Sequence, residues 1–394
     1  MRRLVLLVSA VVFVDTMFYA AVVPLLPHYA DELGLSKAAA GLLSAAYPAG
    51  TLIGAIPAGL VVARVGARPT VLLGLGLLAG SSLVFGFANH VALLDAARFV
   101  QGIGGACTWA GGLAWLVEAA PPARRGALIG TALGAAIGGS LFGPVVGAIA
   151  DLTKPEIVFS TVVVVAGALA AWAATTPAPP REEPQGLRDV GHALRRPALL
   201  GGMWLVVLPA AGFGAVTVLG SLRLDDLGAG GVAVGATFLV AAGVEAIISP
   251  IVGRVSDRRG RLVPIRVGLA IAPIPLCLFT VPRHAIVLAA LIVATTAALG
   301  LFWAPAMALL SDAAEASGLR QGLAFGFVNL AWAAGMVVGS GGGGALAKAT
   351  GDAVPPALVA AASVVTLAAL LRRRQAESMR ASSQTGGASP VREA

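Results

Sequence analysis

Apolar runs of about twenty residues recur along most of the chain, each closed by a short charged, proline-rich or glycine-rich stretch, and each able to cross a hydrocarbon core of about 30 Å as a helix. The pattern predicts twelve helices, over residues 4–26, 38–62, 70–88, 92–118, 127–150, 157–176, 199–222, 232–252, 263–281, 286–311, 322–347 and 355–371. The longest internal polar stretch, "PAPPREEPQGLRDVGHALRRP" at 177–197, has the prolines and mixed charge of a linker. The expected organisation is a first six-helix bundle (1–176), a linker (177–198), a second six-helix bundle (199–371) and a disordered tail (372–394). The opening run follows Arg2 and Arg3 as a secretory signal would, but it extends from residue 4 to 26 and carries Asp15, so it reads as an uncleaved first helix.

Composition sharpens this into an all-α polytopic membrane protein. The chain is 58% hydrophobic and 12% charged, whereas about a quarter of the residues of a soluble domain are charged. With the amino terminus inside, all of the 27 cations except Lys37, Arg98, Lys154, Arg223, Arg283 and Lys348 fall on the inner side. Short loops rich in Lys and Arg stay in the cytoplasm, so both termini are expected there, at the cell (inner) membrane. The net charge of +8 is spread between apolar runs and gathers on no single helix, which argues against a nucleic-acid partner. Cys107 and Cys277 lie inside apolar runs and read as small buried packing residues. No metal-ligand spacing joins the four histidines, so neither metal nor cofactor is expected.

The chain also repeats itself. "GLVVARVGAR" at 59–68 returns as "GRVSDRRGR" at 253–261, with Gly59, Arg64 and Gly66 answered by Gly253, Arg258 and Gly260. "GALIGTALGAAIGGSLFGPVVGAI" from residue 126 returns from residue 322, where Gly126, Gly130, Gly139, Gly143 and Gly147 meet Gly322, Gly326, Gly335, Gly339 and Gly343. Each half holds an even number of predicted helices, so both copies enter from the same side, a parallel repeat of the kind transporters rock about a central site.

In these residues the chain resembles the major facilitator superfamily up to Leu371. "GRVSDRRGR" is similar to the family's loop signature, and "RFVQGIGGA" at 98–106 to its fourth-helix motif, with Arg98, Gln101 and Gly102. "GGSLFGPVVGA" at 138–148, with Gly139, Gly143, Pro144 and Gly147, looks like the Gly-Pro motif of antiporters. "VDTMFYAAVVPLLPHYA" at 14–30 is similar to the first helix of twelve-helix drug and vesicular amine exporters. The resemblance implies two pseudo-symmetric bundles and cytoplasmic latch loops built from Gly59, Arg64, Gly66 and Arg68 and from Gly253, Asp257, Arg258, Gly260 and Arg261. Ala63 stands where the family usually places Asp, so the charged latch is expected mainly from Asp257, facing the start of the fifth predicted helix with Arg124 and Arg125. These residues also admit a plainer reading as topogenic charges.

Two acids fall near the middle of predicted helices, Asp15 and Glu245. An ionisable group at bilayer depth costs roughly 2.5–3.5 kcal/mol on insertion scales, and a carboxyl that takes up and gives up a proton there can exchange protons for a solute. Each can instead be a structural acid bonded to neighbouring helices. Tyr19, one turn from Asp15, can hydrogen-bond it, stack on a ligand, or simply pack. Arg98 reads as a cavity cation under the resemblance, or as an interfacial arginine reaching outward. Asn329 and Trp332 share a face of the eleventh predicted helix and are candidates for the cavity wall, while Trp109 and Trp303 read as packing. The glycines of the fifth and eleventh helices, including Gly341–Gly344, are expected where the halves meet, with a break in the eleventh helix as an alternative. The expectation is a proton-driven exporter of a small drug-like or cationic solute, functional as a monomer in the bilayer, with a proton gradient as energy source. The alternatives are a metabolite or sugar symporter or facilitator, and a membrane enzyme, whose paired-acid, His-Glu or Ser/His motifs the sequence lacks.

Overall fold

The structure, a computed structural model, describes residues 1–121, 125–178, 187–319 and 321–385. Among these residues all regular elements are helical. The first bundle comprises α1 (Arg2–Ala20), α2 (Leu25–Leu33), α3 (Lys37–Val65), α4 (Ala67–Phe87), α5 (Val91–Ala119), α6 (Arg125–Leu152) and α7 (Pro155–Ala174). After the short α8 (Leu187–Ala193) come α9 (Pro197–Asp226), α10 (Gly231–Arg259), α11 (Leu262–Ile271), α12 (Pro273–Cys277), α13 (Ala285–Ala316), α14 (Gln321–Met336), α15 (Gly343–Thr350) and α16 (Val354–Thr385). One buried apolar core gathers residues from Leu4 to Ala173, and a second gathers residues from Ala193 to Ala360. Large apolar side chains also face outward, Val164 at 74% and Ile286 at 78% exposure, as a surface solvated by lipid requires.

Several predicted boundaries move, each for a local reason. The first span does not end at residue 26: α1 stops at Ala20, the chain turns, and α2 continues to Leu33. Pro24 has no N–H to give to Ala20, whose carbonyl takes the Val23 N–H at 3.3 Å instead. The ninth span is two pieces, α11 and α12, divided before Pro273. Among the described residues ten stretches are long and apolar enough to cross a membrane, against twelve predicted. The two that fall short are this broken pair and α5, which is long enough but carries Asp95, Arg98 and Gln101. The last helix runs past Leu371 to Thr385, because the tail expected to be disordered opens with Arg, Gln, Ala, Glu and Met, all good helix formers; residues 386–394 lie outside the described residues. Cys277, read as buried, is exposed.

The repeated charged phrase is not a loop in either copy. Gly59–Val65 and Gly253–Arg259 are the last turns of α3 and α10. Only Gly66 and Gly260 turn, both with left-handed backbone (φ +94° and +88°) that a side chain disfavours. What recurs is a helix end with its glycine stop.

The glycines of α6 do not lie where the bundles meet. Gly139 and Gly143 press against α1 in their own bundle, Gly147 against Ala21 and Pro24 in the turn that follows it, and Gly335 and Gly339 against α9. On a neighbouring face of α6, Ala148 and the Pro144 carbonyl meet α10 at Gly235, and Leu141 meets it at Gly243. In the eleventh span α14 passes into α15 through a π-helical turn, Val337–Gly342, so the run of glycines widens the helix without breaking it.

Candidate transport site

Helix α5 carries a stripe at 98, 101–102, 105 and 109, the spacing that puts side chains on one helix face. Gly102 and Gly50 let α3 and α5 come into backbone contact: a Cβ at Gly102 would fall on the Tyr47 carbonyl. That approach delivers Tyr47 to Asp15, which is fully buried near the carboxyl end of α1. The Tyr47 hydroxyl donates to Asp15 Oδ2 at 2.8 Å, and Trp109 Nε1 donates to the same oxygen at 3.1 Å. The other oxygen, Oδ1, is buried with no hydrogen-bond partner.

Arg98 lies beside this pair and is 2% exposed, so it does not reach outward to an interface. Its guanidinium donates to Gln101 Oε1 at 2.5 Å, to the Tyr19 carbonyl at 3.0 Å and to the Phe18 carbonyl at 3.4 Å. Those carbonyls are free because α1 ends at Ala20, and the last turn of a helix leaves acceptors without partners. The break that Pro24 imposes thus creates the seat for the arginine. The Tyr47, Tyr19 and Phe85 rings stand 5.1, 5.6 and 6.0 Å from the guanidinium carbon, within cation–π range.

Tyr19 does not bond Asp15; that place belongs to Tyr47. Tyr19 stacks on Tyr47 at 4.7 Å and meets Trp332 of α14 edge-on at 5.5 Å. Trp332 belongs to the second bundle, so this ring contact joins the two. Asn329, one turn before it, is half-buried. Glu245 stands apart in the middle of α10, half-buried, its side chain against Gly300 of α13 and without a hydrogen bond or ion pair among the described residues.

The latch residues point elsewhere in this conformation. Arg68 donates to the Ala174 carbonyl at 3.3 Å, and Arg261 pairs with Asp312 at 2.7 Å, each within its own bundle. Gly59 has open space around it, and Arg64, Asp257 and Arg258 are exposed. Arg124 lies outside the described residues, as does the side chain of Arg125. Contacts between the bundles crowd at the opposite end. Lys37 of α3 donates to both carboxylate oxygens of Asp352 at 2.7 Å, with Arg223 4.0 Å away. Nearby, Gly41 approaches Ser340 and Gly344 closely, and Asp151 at the end of α6 lies against Gly231 at the start of α10.

Tyr47 and Trp109 were not among the site residues expected from the sequence. The four-residue rhythm from Arg98 to Trp109 carried a signal for the tryptophan. Tyr47 carried none, since only the α3–α5 contact brings it to Asp15.

The Major Facilitator Superfamily profile matches residues 8–321. The MFS-type transporter ppzB of Metarhizium majus is 30% identical over 125 residues, covering 30% of this chain and 27% of that protein. Among solved structures, the xylose transporter XylE from E. coli, in a partially occluded inward open conformation, superposes with a TM-score of 0.74. It is 16% identical, over 94% of this chain and 98% of the other. A D-xylose-proton symporter gives 0.70 at 18% identity, over 92% and 96%. At such identities these structures speak for the fold alone.

Proposed function

The chain belongs to the Major Facilitator Superfamily, and from that premise we propose that this multi-pass membrane transporter exports a small organic solute, drug-like or cationic, in exchange for protons. The observation that carries the reading is the Asp15 site: a carboxylate in an apolar helix, sealed from solvent, held by two donors and left with one free oxygen. A proton can settle on that oxygen without moving a ring. Neither the carboxylate nor the guanidinium is directly paired with the other, so the balance of charge in the site changes with each proton.

Coupling to movement runs through Tyr19. Its backbone carbonyl holds Arg98 and its ring touches Trp332 of the other bundle, so a change around Asp15 reaches the interface between bundles. In this conformation Lys37 and Asp352 hold one end shut, which the arginine distribution assigns to the outside. Asp257, exposed here, is the group placed to engage the start of α6 when the cytoplasmic end closes, a carboxylate near a helix amino terminus being favourable. Both termini then lie in the cytoplasm at the cell membrane, and one chain holds the two bundles that alternate about the site. Transport leaves the solute chemically unchanged, and the proton gradient supplies the energy.

The test is internal pH in sealed vesicles carrying the purified chain, under an imposed proton gradient, as amphiphilic cations and neutral metabolites are added. Proton movement driven by a solute and abolished by Asp15→Asn is the expected result. Solute crossing with no proton movement would make the chain a facilitator and return Asp15 to a structural role.

A further inference from the structure

We propose that the two mid-membrane acids divide the work: Asp15 carries the coupling proton, and Glu245 of the second bundle receives the cationic group of the solute. This rests on the exchange reading above and adds to it the substrate class and the residue that selects it.

The difference lies in what each carboxylate lacks. Asp15 accepts from Tyr47 and Trp109, and its free oxygen is buried beside Gly105, where even a Cβ would come within 3.3 Å. Tyr19, wedged between Tyr47 and Trp332, covers the approach. A substituted ammonium cannot enter there without parting the rings, whereas a proton needs no such room. Glu245 has neither donor nor partner among the described residues. No Lys or Arg occurs on α10 before Arg254, nor anywhere on α13. An unpaired carboxylate at this depth is costly, and pairing with a cation is the ordinary relief. Helix α6, which also packs against α10, carries no Lys or Arg after Arg125, and an organic cation from outside the protein fits the place.

The surroundings suit an organic cation better than a sugar. Gly300 faces Glu245 and leaves the carboxylate its space, for a Cβ there would stand 3.3 Å from Cγ and 3.7 Å from Oε1. One turn along α13, on the same face, Trp303 is half-buried and edge-on to Phe213 at 5.9 Å. A carboxylate facing Gly300, with Trp303 on the same face of α13, offers an organic cation an ion pair and a cation–π partner. A polyhydroxylated solute needs many free donors and acceptors, yet Thr237 and Thr295 already spend their hydroxyls on the carbonyls of Ala233 and Leu291 in their own helices.

The experiment measures binding of tetraphenylphosphonium, and of its neutral relative triphenylphosphine oxide, to the purified full-length chain in nanodiscs. Glu245→Gln should weaken the phosphonium by about tenfold or more, as loss of a charged partner does, and leave the oxide unchanged. Gly300→Val keeps the carboxylate but fills its room, and should weaken the phosphonium in the same direction; it decides the matter if the glutamine variant does not fold. Undiminished phosphonium binding by both variants overturns the proposal, and so does a parent chain that binds the oxide as tightly as the cation or binds neither. Phosphonium binding lost in Glu245→Gln, with no solute-driven proton movement by the parent chain in vesicles, upholds Glu245 and overturns the exchange reading. Proton exchange with undiminished phosphonium binding in Glu245→Gln does the reverse.

Discussion

Asp15 and Glu245 are acids within apolar helices of two bundles of like construction, and they are treated differently. The first sits in a shell of Tyr47, Trp109, Arg98 and Gln101, while the second stands against a glycine with no partner among the described residues. The difference traces to helix continuity. In the first bundle α1 is cut short ahead of Pro24, its last carbonyls need donors, and Arg98 fills that need. In the second bundle α9 runs through from Pro197 to Asp226, and α13 carries no Lys or Arg. A duplicated scaffold therefore holds one built ionic site and one isolated charge. An interrupted helix calls for a buried cation, and the cation then organises the polar groups around it.

The largest blow to this contrast should come from Gly102→Leu. The side chain would drive into the Tyr47 backbone, and overpacking of this kind costs about 1–3 kcal/mol. We expect a lower melting temperature and no transport, and a normal melting curve would refute the role given to the α3–α5 contact. Tyr47→Phe is gentler and more selective. It removes one of the two donors to Asp15 Oδ2, a bond to a charged group worth about 1.5–3 kcal/mol. Solute-driven proton flux in vesicles should fall about tenfold on that scale while the protein remains folded; flux equal to the parent's would mean that the shell is not functional. The smallest effect belongs to Arg261→Ala. Its bridge to Asp312 joins side chains 34% and 54% exposed, and such surface pairs contribute about 0–1 kcal/mol. A large loss of thermal stability in this variant would overturn the view that the charged phrase of the second bundle is loosely held in this conformation.

The comparison also bears on the latch proposed above. Its residues were legible as a repeated phrase, and Gly66 and Gly260 share a positive φ because both copies end a helix the same way. The partner was not legible. Arg68 and Arg261 bind their own bundles, while the tie across the interface is Lys37 with Asp352, residues 315 apart in sequence at the other end. No periodicity links such a pair.

By itself, the sequence determined that this chain is a bundle of apolar helices, that it is built twice, and that Asp15, Arg98 and Glu245 lie among the apolar runs. Those conclusions rest on short-range rules: bilayer thickness sets the run length, helical spacing sets the faces, and charge at depth marks the exceptions. Tertiary structure alone decided which partner each of these groups has. Tyr47 reaches Asp15 because two glycines let helices touch, and Arg98 is seated because a proline elsewhere frees carbonyls. The α6 glycines turn to α1 and not to the other bundle for the same kind of reason. A glycine is written in the chain as an absence, and only the helix that moves into the space gives it a meaning.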